Sequence, residues 1–466
     1  MTQLVWFRND LRVADNAALT AACKSGDPVT ACFVVTPGQW QNHDWSPARI
    51  GFVLDHVNAL AAELARVGIP MHFLDCEDFQ DTVTHLLDHC RKHKVRHVHI
   101  NEEYGVNERR RDKVIANKLA EADVRFQKYR DQTIAPVGSI LTGQQKPFSV
   151  FTPFSRRWRN WVDETRPTPW PVPSPVAAPV KPAQYHSAVA GSEGAPPPLV
   201  ATGEDAAHQQ LERFLDEQVG GYKAQRDFPA CAGTSLLSPY LANGVLSGQQ
   251  CLTAAQQAQG AGGEQEGLAT WINELAWRDF YIHILYHFPR VSMNRAFKPE
   301  TEALQWNPPG EAFEAWKAGE TGIPMVDAAM RQLNQTGWMH NRLRMVTAQF
   351  LTKNLFINWQ VGERYFSSRL VDGFLASNNG GWQWSASTGT DAAPYFRVFN
   401  PVTQGERFDP KGAFIRQYLP ELADLDNKRI HQPWVGGTPP NGYPSPIVDL
   451  KESRKEAIAR FQALKD

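Results

Sequence analysis

The segment Trp271-Ile272-Asn273-Glu274-Leu275-Ala276-Trp277-Arg278-Asp279-Phe280-Tyr281 carries a carboxylate, an indole, a guanidinium and a phenol at spacings of three and four. On a helix, Glu274, Trp277, Arg278 and Tyr281 share one face. That face offers a hydrogen-bond acceptor, a stacking plane and a phosphate clamp. It is also the composition of a surface Glu–Arg pair flanked by core aromatics. A second group lies at Thr321-Gly322-Ile323-Pro324, which opens a helix that Thr336-Gly337 ends. Trp338-Met339-His340-Asn341-Arg342-Leu343-Arg344 then opens another. Arg342 and Arg344, two apart, project to different faces, so one can meet an interior ligand while the other meets something outside. His340 is either a general base or a structurally hydrogen-bonded histidine. No serine or cysteine nucleophile accompanies it, which favours the structural role. Gly233-Thr234-Ser235-Leu236-Leu237-Ser238 presents hydroxyls and backbone N–H groups ahead of a helical run, as an anion site or a plain N-cap.

Tryptophan is concentrated in one stretch. Trp271, Trp277, Trp306, Trp316, Trp338, Trp359, Trp382 and Trp384 account for eight of the fifteen. Packing explains Trp316 and Trp338, since an indole buries a large apolar area. Gly380-Gly381-Trp382-Gln383-Trp384 has two glycines and a polar residue between two indoles. It reads either as a cavity wall for a planar ligand or as packing. His85, His89 and His93 fall at four-residue spacing on one helix with Cys90 nearby. A zinc site there would want a carboxylate or thiolate on the same face and a defined second shell, so a solvated helix face is expected and no metal.

The elements that position these residues form two textures. Leu4–Arg8, Val29–Val35, Met71–Leu74, Val95–Ile100 and Val124–Tyr129 are β-branched and aromatic runs. They alternate with helical patterns at Asn16–Lys24, Ala48–Val67, Phe79–Lys92 and Asn107–Ala122. Such alternation argues for a parallel sheet covered on both faces, a Rossmann-like α/β domain over residues 1–131. Its first strand-to-helix loop, Arg8-Asn9-Asp10-Leu11-Arg12-Val13-Ala14-Asp15, has no glycine, and no phosphate loop occurs elsewhere. Residues 132–204 read as a connector. Ten of the chain's 33 prolines lie in 167–198, too many for helix or strand. From 205 to 466 the pattern is helical, with Glu204–Val219, Leu268–Tyr286, Met325–Thr336 and Asn341–Trp359 as examples.

Composition narrows the class. Of 466 residues, 42% are hydrophobic and 21% charged, a globular balance. No apolar run approaches the ~20 residues of a membrane span. The N-terminus lacks a secretory pattern, so a cytoplasmic protein is expected. Six cysteines without a C-x-x-C pair are expected as buried free thiols. Net charge is −1, yet residues 331–420 carry ten Lys/Arg against five Asp/Glu. That excess is either an ordinary solvated face or a polyanion site.

Together these segments resemble the DNA photolyase and cryptochrome family, and more closely its bacterial class I cyclobutane-pyrimidine-dimer photolyases. The resemblance runs from Leu4-Val5-Trp6-Phe7-Arg8-Asn9-Asp10-Leu11-Arg12 through Phe414-Ile415-Arg416-Gln417-Tyr418-Leu419-Pro420-Glu421-Leu422. It is most specific over Thr321–Arg344 and Asp372–Phe396. It implies an α/β antenna domain, a long connector and an all-α domain holding FAD, with light-driven repair of pyrimidine dimers in DNA. A cryptochrome-type light sensor is the alternative. By the same resemblance, Tyr222, Thr234, Ser235, Leu236, Leu237, Ser238, Trp271, Arg278, Trp338, Arg344, Asp372, Gly373, Phe374 and Asn378 surround FAD, with Asn378 at the flavin N5. Glu274, Trp277, Arg278, Tyr281, Asn341, Met345 and Trp384 meet a flipped-out dimer, as base-flipping photolyases do. Arg226, Arg342, Arg397 and Thr403 meet the DNA. Trp382, Trp359 and Trp306 pass an electron toward the flavin.

Three departures from the family's pattern stand in this sequence. Leu236 replaces a basic residue, Phe374 the second acid of Asp-Gly-Asp, and Ser292-Met293 a Cys-Lys pair of some folate-binding relatives. The second chromophore is expected to be 5,10-methenyltetrahydrofolate, held at Asn107 and Glu108 with His43 a further contact. The Glu108 carboxylate suits the two N–H donors of a pterin edge; it is equally an acid favoured at a helix N-terminus. A monomer without an obligate protein partner is expected.

Overall fold

The computed structural model describes residues 2–189 and 191–464. The chain folds as two compact units, Met1–Gly220 with Ser235–Pro289 and Gly221–Thr234 with Arg290–Asp466.

In the first unit five strands, β1 (Thr2–Phe7), β2 (Val29–Val35), β3 (Met71–Asp75), β4 (Val95–Asn101) and β5 (Arg125–Tyr129), form a sheet in the order β3-β2-β1-β4-β5. Every neighbouring pair is parallel. All seven residues of β2 are buried, as a strand covered on both faces requires. The helices Ala17–Lys24, Pro47–Arg66, Phe79–Lys92 and Val106–Glu121 follow the strands within one or two residues of their expected bounds. The short helix Pro37–Asn42 was not expected. Six residues anchored by one buried indole, Trp40, show no helical period.

The strand order reverses between β1 and β4, where doubly wound sheets bind nucleotides at the strand ends. Here that crevice is filled. Arg8 pairs with Asp112 at 3.0 Å and Glu103 at 3.5 Å, and Arg12 pairs with Asp131. A cavity of only about 20 Å³ remains among Asn9, Asp10, Asn101, Glu102 and neighbouring residues, enough for about one water. The missing glycine loop and the filled crevice express the same fact.

The proline-rich connector is laid against this unit. Val176 and Val180 N–H donate to Val67 and Ala65 O at 3.0 Å each, and Tyr185 N–H donates to Asn58 Oδ1 at 2.7 Å. Gly68, at φ +80°, has Ala177 O only 2.4 Å from where a Cβ would stand, so only glycine fits. The connector also contains a helix that the sequence pattern did not reveal, Phe151–Thr165. Its buried Phe151, Phe154, Trp158 and Val162 are spaced by three and four, but flanking arginines dilute the pattern.

The second unit is helical. Asn341–Trp359, expected as one helix, is interrupted. An α-helix over Asn341–Gln349 passes into a π-turn over Phe350–Asn354 and then to Phe356 at φ +51°. A new helix starts at Trp359, where the Asn358 side chain accepts from Gln360 N–H at 3.1 Å. The extra residue of the π-turn accompanies buried Lys353, whose Nζ donates to Ala386 O and Ser387 Oγ at 3.2 and 2.9 Å. Among the described residues no helix is long and apolar enough to cross a membrane. Cys32, Cys76, Cys90 and Cys251 are buried free thiols, Cys23 is half-buried, and Cys231 is exposed, against expectation.

Candidate functional site

In the second unit the Leu375–Ala386 helix carries Asn378 and, one turn on, Trp382. The Asn378 amide nitrogen donates to Glu363 O at 3.1 Å and Ser367 Oγ at 2.9 Å. Both acceptors come from the Trp359–Ser367 helix. With its N–H groups held, the amide offers its oxygen as an acceptor. Glu363 and Ser367 were not among the sequence candidates: a backbone carbonyl has no sequence signature, and a lone serine carries none either.

Trp382 is 2% exposed and packs in the core. Its ring meets Phe366 edge-on at 4.9 Å and Trp316 at 6.0 Å. Its Nε1 is buried without a hydrogen-bond partner among the described residues. Trp359 is buried in the same cluster, and Trp306 is partly buried at its margin. The three indoles thus run from interior to periphery. Trp384 and Trp338 are half-buried, Trp384 meeting Phe399 at 6.4 Å and Trp338 meeting His340 at 6.4 Å.

Arg342 and Arg344 diverge as their spacing demands. Arg344 Nη2 donates to both carboxylate oxygens of Asp372 at 3.0 and 2.8 Å, and Nε to Met339 O at 2.8 Å. Gly373 is buried and Phe374 half-buried; Phe374 N–H donates to Asp372 O at 2.6 Å. Arg342 pairs with Asp227 at 2.8 Å and lies over the Phe408 ring at 4.4 Å. Buried His340 is the N-cap of this helix: its Nδ1 accepts from Arg342 N–H at 3.1 Å. Burial pushes its pKa down to about 4, so it caps as a neutral ring. Asn341 is exposed beside half-buried Met345, its amide 3.9 Å from the thioether. Tyr222 is buried with half-buried Arg226 over its ring at 5.5 Å. Arg397 and Thr403 are exposed, and Thr234 is half-buried.

The first unit carries the remaining candidates. On the Gln265–His287 helix, Trp271 is buried against Phe214, while Glu274, Trp277 and Tyr281 are half-buried. Trp277 stacks on Phe151 with centroids 3.6 Å apart and planes 9° apart, so one indole face is already taken. Arg278 donates to Gln132 O at 2.7 Å and Leu241 O at 3.3 Å. Next to it Asp279, fully buried, accepts from Ile134 N–H, Ala135 N–H and Trp158 Nε1. This side of the helix thereby ties down the connector. Ser235 and Leu236 are half-buried, Leu237 is buried and Ser238 exposed. Leu236 adopts φ +52°, an uncommon conformation for a non-glycine residue that stores strain at functional loops.

At the end of the sheet, His43 stands between Asn107 and Glu108. Its Nε2 accepts from Asn107 Nδ2 at 3.1 Å, and its Nδ1 is 3.6 Å from Glu108 Oε1. Burial, then the charge of Glu103, raises the Glu108 carboxyl to about 7. A Cβ at Gly105 would meet Glu108 Oε2 at 2.1 Å, so a larger residue there would push that carboxylate aside. The expected histidine face divides: His85 turns to Asp81, with Nδ1 3.2 Å from Oδ1. His89 and His93 instead meet His72 of β3.

Comparison with known proteins fits this architecture. The family model for DNA photolyase matches residues 3–174, and that for the FAD binding domain of DNA photolyase matches 271–463. The chain belongs to the DNA photolyase family. A deoxyribodipyrimidine photo-lyase of Salmonella typhimurium is 44% identical, over 99% of this chain and 98% of that protein. Among solved structures, a class III photolyase of Agrobacterium tumefaciens superposes with a TM-score of 0.88 at 33% identity, covering 100% of this chain and 98% of its own. A cryptochrome of Synechocystis sp. PCC6803 does so with 0.87 at 27%, covering 98% of each.

Proposed function

We propose that this chain is a deoxyribodipyrimidine photo-lyase that uses FAD and light to split cyclobutane pyrimidine dimers in DNA. The observation that carries the reading is the Asn378 amide. Its nitrogen is held by Glu363 and Ser367, and its oxygen is left to accept a hydrogen bond. A flavin N5 has a hydrogen to donate only when reduced, so the amide suits the reduced cofactor. FAD supplies the light absorption and the transferable electron when bound.

The chain's own residues do the rest. Arg344 and Asp372 brace the loop that leads to Asn378, and Tyr222, Thr234, Trp338, Gly373 and Phe374 are assigned to FAD by the family resemblance. Ser235, Leu236, Leu237, Ser238, Trp271 and Arg278 are assigned likewise. Glu274 is proposed to hydrogen-bond the dimer's carbonyl edge and Trp277 to stack on it with the face that Phe151 leaves free. Tyr281, Asn341, Met345 and Trp384 complete the lesion contacts. Arg226, Arg342, Arg397 and Thr403 take the backbone, giving a salt-dependent affinity. We infer a cytoplasmic monomer needing no protein partner. The test is loss of dimers from a thymine oligonucleotide under near-UV or blue light with purified protein. Repair of the cyclobutane dimer is expected and repair of a (6-4) photoproduct is not, because Asn341 stands where (6-4) enzymes resembling this segment have histidine. Protein that takes up no FAD, or leaves the dimers intact, overturns the reading.

Asn107, Glu108 and His43 are proposed to hold 5,10-methenyltetrahydrofolate. Accepting two N–H donors requires an ionised Glu108, and its pKa of about 7 puts that ionisation in the working range. Glu103, Asp112, Arg111 and His43 are its charged and titratable neighbours. Below pH 7 the group is protonated in the free protein, so folate binding is expected to weaken by up to about tenfold per pH unit. Above pH 7 it levels off. Equilibrium titration from pH 5.5 to 8.5 checks this; Glu108→Gln should bind weakly and without that slope.

A further inference from the structure

β3 is an edge strand of the sheet, and the Phe79–Lys92 helix follows it. His72 lies on β3, His89 in the helix's last turn, and His93 at its C-cap. Their rings cluster with centroids 4.9 Å (72–89), 4.5 Å (72–93) and 4.3 Å (89–93) apart. One ring nitrogen from each lies within 4.8 Å of the other two. His89 is 6% exposed, and its Nε2 is buried with no hydrogen-bond partner among the described residues.

A buried imidazole nitrogen without a partner is unfavourable, and an apolar side chain would fill the same space without that cost. We propose that His72, His89 and His93 form a binding site for a late first-row divalent metal ion of the zinc class. Three imidazoles suit zinc, nickel or copper and not magnesium or calcium, which take oxygen ligands. Three protein ligands leave a fourth position for water. The four-residue spacing of His89 and His93 puts two ligands on one helix face, and the strand supplies the third from outside the helix. In a tetrahedral site with Zn–N near 2.0–2.1 Å, neighbouring nitrogens stand ~3.3 Å apart. His72 and His93 are half-buried, so rotation about their side-chain bonds can close the present spacing. Burial keeps His72 and His89 toward the neutral form, which leaves lone pairs available. Lys92 adds positive charge nearby, so micromolar rather than nanomolar affinity is expected. The ion would tie the edge strand to its helix.

The test uses the full chain, purified without a histidine tag and stripped with EDTA. It is titrated with zinc chloride by calorimetry, and with Co(II) followed by visible absorption. One equivalent should bind, with a tetrahedral cobalt spectrum. His72→Gln and His93→Gln should each weaken zinc at least tenfold while the metal-free protein melts as wild type does, and His85→Gln should change nothing. Failure to bind one equivalent overturns the proposal. So does binding that survives both His72→Gln and His93→Gln. Loss on His85→Gln or Cys76→Ser also overturns it, because the site would then be the Cys76–Asp81–His85 group.

Discussion

Trp382→Phe is expected to slow light-driven reduction of bound oxidised FAD by roughly a hundredfold, equivalent to ~2.7 kcal/mol on the barrier. A benzene ring is far harder to oxidise than an indole. Trp382 sits in the core, edge-on to Phe366, and phenylalanine keeps most of that packing at a cost on the order of 1 kcal/mol. Gly362 is part of the same arrangement. A Cβ there would stand 2.3 Å from the Trp382 ring, so the glycine lets the indole lie against the Trp359–Ser367 helix, one turn from Trp359. Trp306, partly buried against Phe356 at 4.8 Å, is the outermost of the three. Repair by enzyme reduced chemically beforehand should be unchanged if, as the family resemblance implies, the indole loads the electron and does not touch the lesion. Time-resolved loss of oxidised-flavin absorbance in the purified holoenzyme measures the first quantity, and dimer loss measures the second. Reduction at the wild-type rate would remove Trp382 from the relay.

The parallel sheet was legible because each strand and helix carries its own period, and Gly68-Ile69-Pro70 punctuates where a helix must stop. Helix Phe151–Thr165 was not, since its apolar stripe is four residues among arginines, and its burial depends on Trp277 and Phe280 from distant sequence. The break within Asn341–Trp359 was hidden for a related reason. The π-turn keeps the apolar texture of a helix, and only Asn358 hints at a restart. Among the candidate residues, chemistry was readable but pairing was not. Arg342 and Arg344 were predicted to diverge, yet nothing in the sequence names Asp227 and Asp372 as their partners. The histidine run shows the same limit from another side: a helical repeat grouped His85 with His89 and His93, and the adjacent strand substituted His72.

Arg344→Ala is expected to cost about 3 kcal/mol of unfolding free energy. The Asp372 side chain is 3% exposed and Arg344 is 25% exposed, so deleting the guanidinium leaves a carboxylate buried without its cation, a defect of ~3–5 kcal/mol. Water reaching the vacated arginine site places the loss at the lower end. Nε also leaves Met339 O without its donor. Asp372→Asn in the same background should recover part of the stability, because a neutral amide is cheaper to bury than an unpaired charge. Urea unfolding of the single and double variants gives these differences, and an Arg344→Ala protein as stable as wild type would refute the assignment. FAD uptake then separates bracing from contact. If the pair only braces the loop that leads to Asn378, the double variant recovers FAD binding along with stability. If the Asp372 carboxylate or the Arg344 guanidinium itself meets the cofactor, stability returns while FAD binding does not, since neither charged group is present to make the contact.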